Sequence, residues 1–185
     1  VTARAMARLE VLRGLEFRQP VSTRVISRTE YRANRSNESD PVHAAWNNQV
    51  WEALFLIGSD TDVESVFDQA LGSRVIGFYS PGSDEVVVVS DSESPELSRG
   101  TLVHELVHAL QDQHFGLGGV PDTQDAQLAR NGVVEGEANR LETAYAERCG
   151  SRWDCVPELG GGGGGSRDRW GRNVFTVIFF PYAVG

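Results

Sequence analysis

His104-Glu105-Leu106-Val107-His108 is the stretch on which the reading of this chain turns. On an α-helix, residues four apart share a face, so the two imidazoles can grip one metal ion together. Glu105 stands beside that face, placed to reach a water held by the metal rather than the metal itself. This H-E-x-x-H spacing suits hydrolysis at a zinc ion. Val103, Leu106, Val107 and Leu110 make the helix apolar on most sides, which predicts burial. Ser94-Pro95-Glu96 reads as its N-terminal cap, and Gly116 with Gly118-Gly119 ends it near Phe115.

Outward from the motif, Arg74 to Tyr79 and Glu85 to Ser90 read as two strands joined by the hairpin Ser80-Pro81-Gly82-Ser83-Asp84. The unbroken Val86-Val87-Val88-Val89 run predicts a strand covered on both faces. Nearer the N-terminus, Thr2 to Leu15 reads as an amphipathic helix with Ala5, Leu9, Leu12 and Leu15 near one face. Val21 to Ser27 alternates like a strand, and Asn34 to Asp40 reads as a loop. Asp40-Pro41 opens a helix expected to reach about Ile57, with Trp46, Val50 and Leu54 at helical spacing and its tryptophans in the core. A short helix is expected within Ser59 to Leu71, and a long one from about Thr123 to Arg148.

The 185 residues, 40% hydrophobic and 23% charged, fit a single domain over 1–185 with a substantial core. No apolar run reaches the length of a membrane span, the longest lying around Val174 to Phe180. Net charge is -9, although residues 1–35 hold eight arginines against three glutamates. So acidic a remainder argues against nucleic acid as a partner. The basic start is read as a solvated helix face, with a surface-binding segment as the alternative. All basic residues are arginine, which reflects GC-rich coding and carries no functional weight. Cys149 and Cys155 flank a short polar loop, spacing that suits a disulfide and an extracytoplasmic location, secreted or in the cell envelope. Gly160 to Gly165 followed by Ser166 reads as a flexible linker over 160–166, an engineered replacement for a removed segment. The chain stops soon after Phe179-Phe180-Pro181-Tyr182, so the natural protein is expected to continue.

Catalytic zinc usually takes three protein ligands, so the motif needs a third. His114 stands six residues after His108, but turning back to the metal would need a glycine where Gln111 stands. A continuing helix carries His114 about 9 Å along the axis, out of reach. It reads instead as a helix-end residue at the negative C-terminus. Glu135, in Val134-Glu135-Gly136-Glu137-Ala138, is the stronger candidate. Gly132 and Gly136 lie one turn apart and would let its helix approach a neighbour closely. Asn139 shares the face of Glu135 and could support an imidazole from behind. Glu137 points elsewhere.

Together, His104-Glu105-Leu106-Val107-His108 and Glu135-Gly136-Glu137-Ala138 resemble the gluzincin clan of zinc metallopeptidases, whose second helix often reads E-G-x-A. The run from His104 to Phe115 resembles small bacterial neutral zinc metallopeptidases in particular. The resemblance is strong over residues 74–145 and faint before them. It implies an α+β fold, a small mixed sheet packed on the active-site helix and a second, glutamate-bearing helix. It implies Zn2+ as cofactor, with His104, His108 and Glu135 as ligands. Peptide bonds of a peptide or protein substrate would then be hydrolysed by a zinc-bound water that Glu105 activates. A Tyr or His from further along would stabilise the oxyanion; Tyr182 is the candidate, with Tyr145 a weaker one. The strand Arg74 to Tyr79 would be the sheet edge along which substrate pairs. The alternative is a catalytically inactive interaction module of the cell envelope that retains the fold and binds a protein partner there.

Overall fold

The computed structural model describes residues 1–34, 41–63, 65, 75–90, 99–119, 121 and 123–155. Their elements are α1 (Thr2–Arg13), β1 (Ser22–Ser27), α2 (Arg28–Asn34), α3 (Pro41–Ala53), β2 (Gly77–Ser80), β3 (Glu85–Ser90), α4 (Arg99–Phe115) and α5 (Gln124–Arg148). The protein is thus α+β, with five helices and one three-stranded sheet among the described residues. The expected cap at Ser94-Pro95-Glu96, the glycine run 160–166 and Tyr182 lie outside them, as does most of the expected helix 59–71. No described helix is long and apolar enough to cross a membrane.

Among the described residues, contacts divide the chain into two compact units, one formed by Val1–Ser27 with residues 76–155, the other by the residues between Arg28 and Val75. In the first unit β3 is the central strand of the order β1-β3-β2. It pairs in parallel with β1 (Val25 opposite Val88) and antiparallel with β2 (Tyr79 opposite Val86). All four valines of β3 are buried, as expected of a strand covered on both sides. Val86 and Val88 face a core shared with Leu9 of α1, Leu102 and Leu106 of α4, and Leu141 of α5. The β2–β3 turn closes through the Ser83 N–H donating to the Ser80 carbonyl at 3.2 Å.

The first helix stops earlier than its apolar spacing suggests. Gly14 adopts φ 72° and donates its N–H to the Glu10 carbonyl at 2.8 Å, ending α1 at Arg13 and leaving Leu15 outside. The arginines of this N-terminal stretch are not simply a solvated face. Arg13 pairs with Glu137 at 2.5 Å, Arg8 donates to Tyr145 Oη at 3.2 Å, and Arg18 donates to the Gln113 carbonyl at 2.9 Å. Those contacts tie the start of the chain to α4 and α5.

In the second unit α2 forms from a stretch that gave no periodic signal, and α3 ends at Ala53 rather than near Ile57. Phe55, at φ 57°, donates to the Glu52 carbonyl while Leu56 donates to the Trp51 carbonyl, each at 2.9 Å. This is a Schellman closure made without glycine, so no sequence signal marked it. The turn brings Ile57 onto Trp51, and these two form a small core with Val63. Trp46 and Leu54, expected inside, are instead 55% and 62% exposed. The buried side of α3 is the one carrying Trp51.

Candidate metal centre

Helix α4 carries His104, Glu105 and His108, and is buried almost throughout from Gly100 to Gln111. Helix α5 packs against it and carries Glu135 on the facing side. Ala138 of α5 is fully buried in the core that also holds Leu106 of α4, whereas a Cβ on Gly132 would meet nothing within 4 Å. Gly132 therefore does not serve the close helix approach expected of it. Glu135 Oε2 lies 3.1 Å from His104 Nε2 and 3.5 Å from His108 Nε2. One ligand atom from each of the three residues falls within 4.8 Å of the others. The two imidazoles meet edge to face, at 83° and 4.8 Å between centroids.

The far side of each ring is held too. His104 Nδ1 is 3.2 Å from Glu142 Oε2, and His108 Nδ1 is 2.9 Å from Gln111 Oε1. Both partners present acceptor oxygens, so each Nδ1 carries a proton and each Nε2 turns its other valence toward Glu135. Two Nε2 atoms facing one carboxylate oxygen require positive charge between them, either protons or a cation. Two imidazoles, each backed by a hydrogen-bonding partner, and a carboxylate make a donor set suited to a divalent transition metal. The same balance sets the protonation behaviour. Burial pulls the His104 pKa down, but hydrogen bonds to Glu135 and Glu142 outweigh it and raise it to about 10. Burial would raise the Glu135 pKa, but its bonds to both histidines outweigh this and lower it to about 2.

Glu105 sits beside these three residues and is 8% exposed. Burial pushes its carboxyl above the ordinary range, opposed by the two imidazoles. Its carboxylate accepts a hydrogen bond from the Tyr79 backbone N–H, so edge strand β2 supports it directly. That approach depends on a glycine. A Cβ on Gly77 would stand 2.5 Å from Thr101 Cγ2 and 3.3 Å from Glu105 Cγ. Tyr79 closes the same contact further along, its hydroxyl lying 2.9 Å from Asp84 Oδ1 and 3.0 Å from Asp112 Oδ2.

The remaining sequence candidates stand elsewhere. His114 Nε2 is 2.8 Å from the Glu16 carbonyl and is not among the clustered ligands. Asn139 is half-buried, one turn beyond Glu135, and lines an open groove on α5 with Gly136, Arg140 and Thr143. Tyr145 is buried against Trp153, with its hydroxyl on Arg8. Cys149 and Cys155 form a disulfide that closes the loop after α5. Sequence reasoning passed over Glu142, Gln111 and Gly77. Glu142 follows Glu135 by seven residues and so shares its helix face, a signal that could have found it.

Comparison of the chain with protein-family profiles, with curated proteins and with solved structures finds no match.

Proposed function

We propose that this protein is a zinc-dependent metallopeptidase of the gluzincin kind. The observation that carries the reading is the convergence of His104, His108 and Glu135 within 4.8 Å beside the buried Glu105. Those three residues would hold Zn2+, with Glu142 and Gln111 fixing the imidazoles from behind. When bound, zinc supplies Lewis acidity, polarising a carbonyl and making water more acidic. Glu105 does the proton work. Its carboxylate, raised in basicity by burial, takes a proton from the attacking water and delivers it to the departing amine. The peptide pairs as an added strand along β2, whose place at the sheet edge beside α4 supports this. The Cys149–Cys155 disulfide supports an extracytoplasmic location.

The test is elemental analysis of the purified protein, followed by incubation with a broad peptide library with and without chelator. Stoichiometric zinc and chelator-sensitive cleavage are expected. Bound zinc without cleavage would favour the interaction module over the peptidase.

A further inference from the structure

Gln111 has one orientation open to it. Its amide nitrogen donates to the Val134 carbonyl at 2.9 Å and to Glu137 Oε2 at 3.1 Å, which uses both of its protons. Only the amide oxygen remains for His108 Nδ1, at 2.9 Å, and it can only accept. His108 is thereby kept with its proton on Nδ1, leaving Nε2 to face Glu135. Glu137 is oriented in turn, because Arg13 Nε lies 2.5 Å from its Oε1 and turns Oε2 toward Gln111. The chain of contacts runs from the last turn of α1, through α5, to a residue on α4 one turn beyond His108.

We propose that Arg13, Glu137 and Gln111 form a positioning relay that fixes the tautomer of His108 and so sets the affinity of the site for a divalent metal. The proposal rests on the reading of His104, His108 and Glu135 as metal ligands. It gives Glu137, which does not itself ligate, a defined task, and it makes docking of the N-terminal helix part of the metal centre. A side chain that accepts from Nδ1 orients the ring and strengthens the opposite nitrogen as a ligand; losing such a partner typically weakens metal binding about 10–100-fold.

The experiment titrates the metal-free full chain with Co2+, followed by its absorption bands, and with Zn2+ in competition with a chromophoric chelator. Gln111→Leu removes the acceptor and should weaken both metals about 10–100-fold. Gln111→Glu keeps an acceptor facing Nδ1 but loses both amide donations. It should therefore bind metal within a few-fold of the unaltered chain while its thermal midpoint falls. Adding Glu137→Gln to Gln111→Glu returns a donor opposite the new carboxylate and should recover part of that midpoint. Arg13→Leu, at the outer end of the relay, should weaken metal binding a few-fold. Gln111→Leu binding as tightly as the unaltered chain would overturn the relay. So would equal weakening in Gln111→Leu and Gln111→Glu, since affinity would then follow lost packing rather than the lost acceptor. An unaltered chain that binds neither metal would overturn the metal centre itself, and the relay with it.

Discussion

At Glu105 two influences oppose each other: burial favours the neutral acid, and the flanking imidazoles favour the carboxylate. A group so placed can take a proton and give it up again, which a metal ligand has no need to do. Glu105→Gln is accordingly expected to retain zinc, by elemental analysis, while peptide cleavage falls roughly 10²–10⁴-fold. His104→Ala and Glu135→Ala should lose the metal instead. Acid and base also act on the ligands when no metal is present. Glu135, lowered from its ordinary 4.5 to about 2, contributes stability that is complete above pH 4.5 and lost as pH falls through 2. His104, raised from its ordinary 6.5 to about 10, contributes stability that is complete below pH 6.5 and lost as pH rises through 10. The pair therefore helps the metal-free chain most between pH 4.5 and 6.5. Thermal midpoints measured with chelator across the pH range should decline on both sides of that window. A midpoint unchanged between pH 6.5 and 10 would count against the His104–Glu135 pairing.

At the scale of elements, the arrangement turns on how closely β2 lies on α4. Gly77→Ala places a methyl against Thr101 Cγ2 at 2.5 Å, inside any normal contact. Overpacking of this kind costs about 1–3 kcal/mol, to be read from chemical denaturation. Adding Thr101→Ser removes the clashing methyl while keeping the hydroxyl, and should recover most of the loss. These elements also show what was legible in the sequence. The motif helix, the long helix after it and β3 announced themselves because burial and period coincide there: four consecutive valines, or apolar residues around two histidines. The ends of α1 and α3 did not. A glycine reading as helix interior stopped the first, and a left-handed Phe55 stopped the second. The core side of α3 was legible only in part. Trp51 and Val50 do pack with Ile57 and Val63, whereas Trp46 and Leu54, at the same helical spacing as Val50, stay exposed. At the site, the cluster of His104, His108 and Glu135 was legible because its spacing is fixed by one helix and one short motif. Gln111 was not, because its role arises only once α4 and α5 are packed together, whereas Glu142 left a signal in its place on the helix face of Glu135.

At the scale of the whole molecule, arginines of the basic start make internal contacts, with α1 held to α5 through Arg13 and Arg8. The disulfide belongs to this same framework. Cys149 follows α5 directly, and Trp153 within the closed loop packs on Tyr145 and lies 5.1 Å from the Arg8 guanidinium. Closing so short a loop stabilises by roughly 2 kcal/mol on the chain-entropy view. Reduction should therefore lower the denaturation midpoint yet leave metal affinity unchanged, because Glu135 lies several turns back along α5. Equal loss of both would mean that the loop, rather than the helix pair, holds the site together. The central claim is that α4 and α5 together build one metal centre. Anomalous X-ray scattering measured at the zinc edge on crystals of the protein tests it most directly. A single peak between His104, His108 and Glu135 is predicted; a peak beside His114, or none near the two helices, would contradict it.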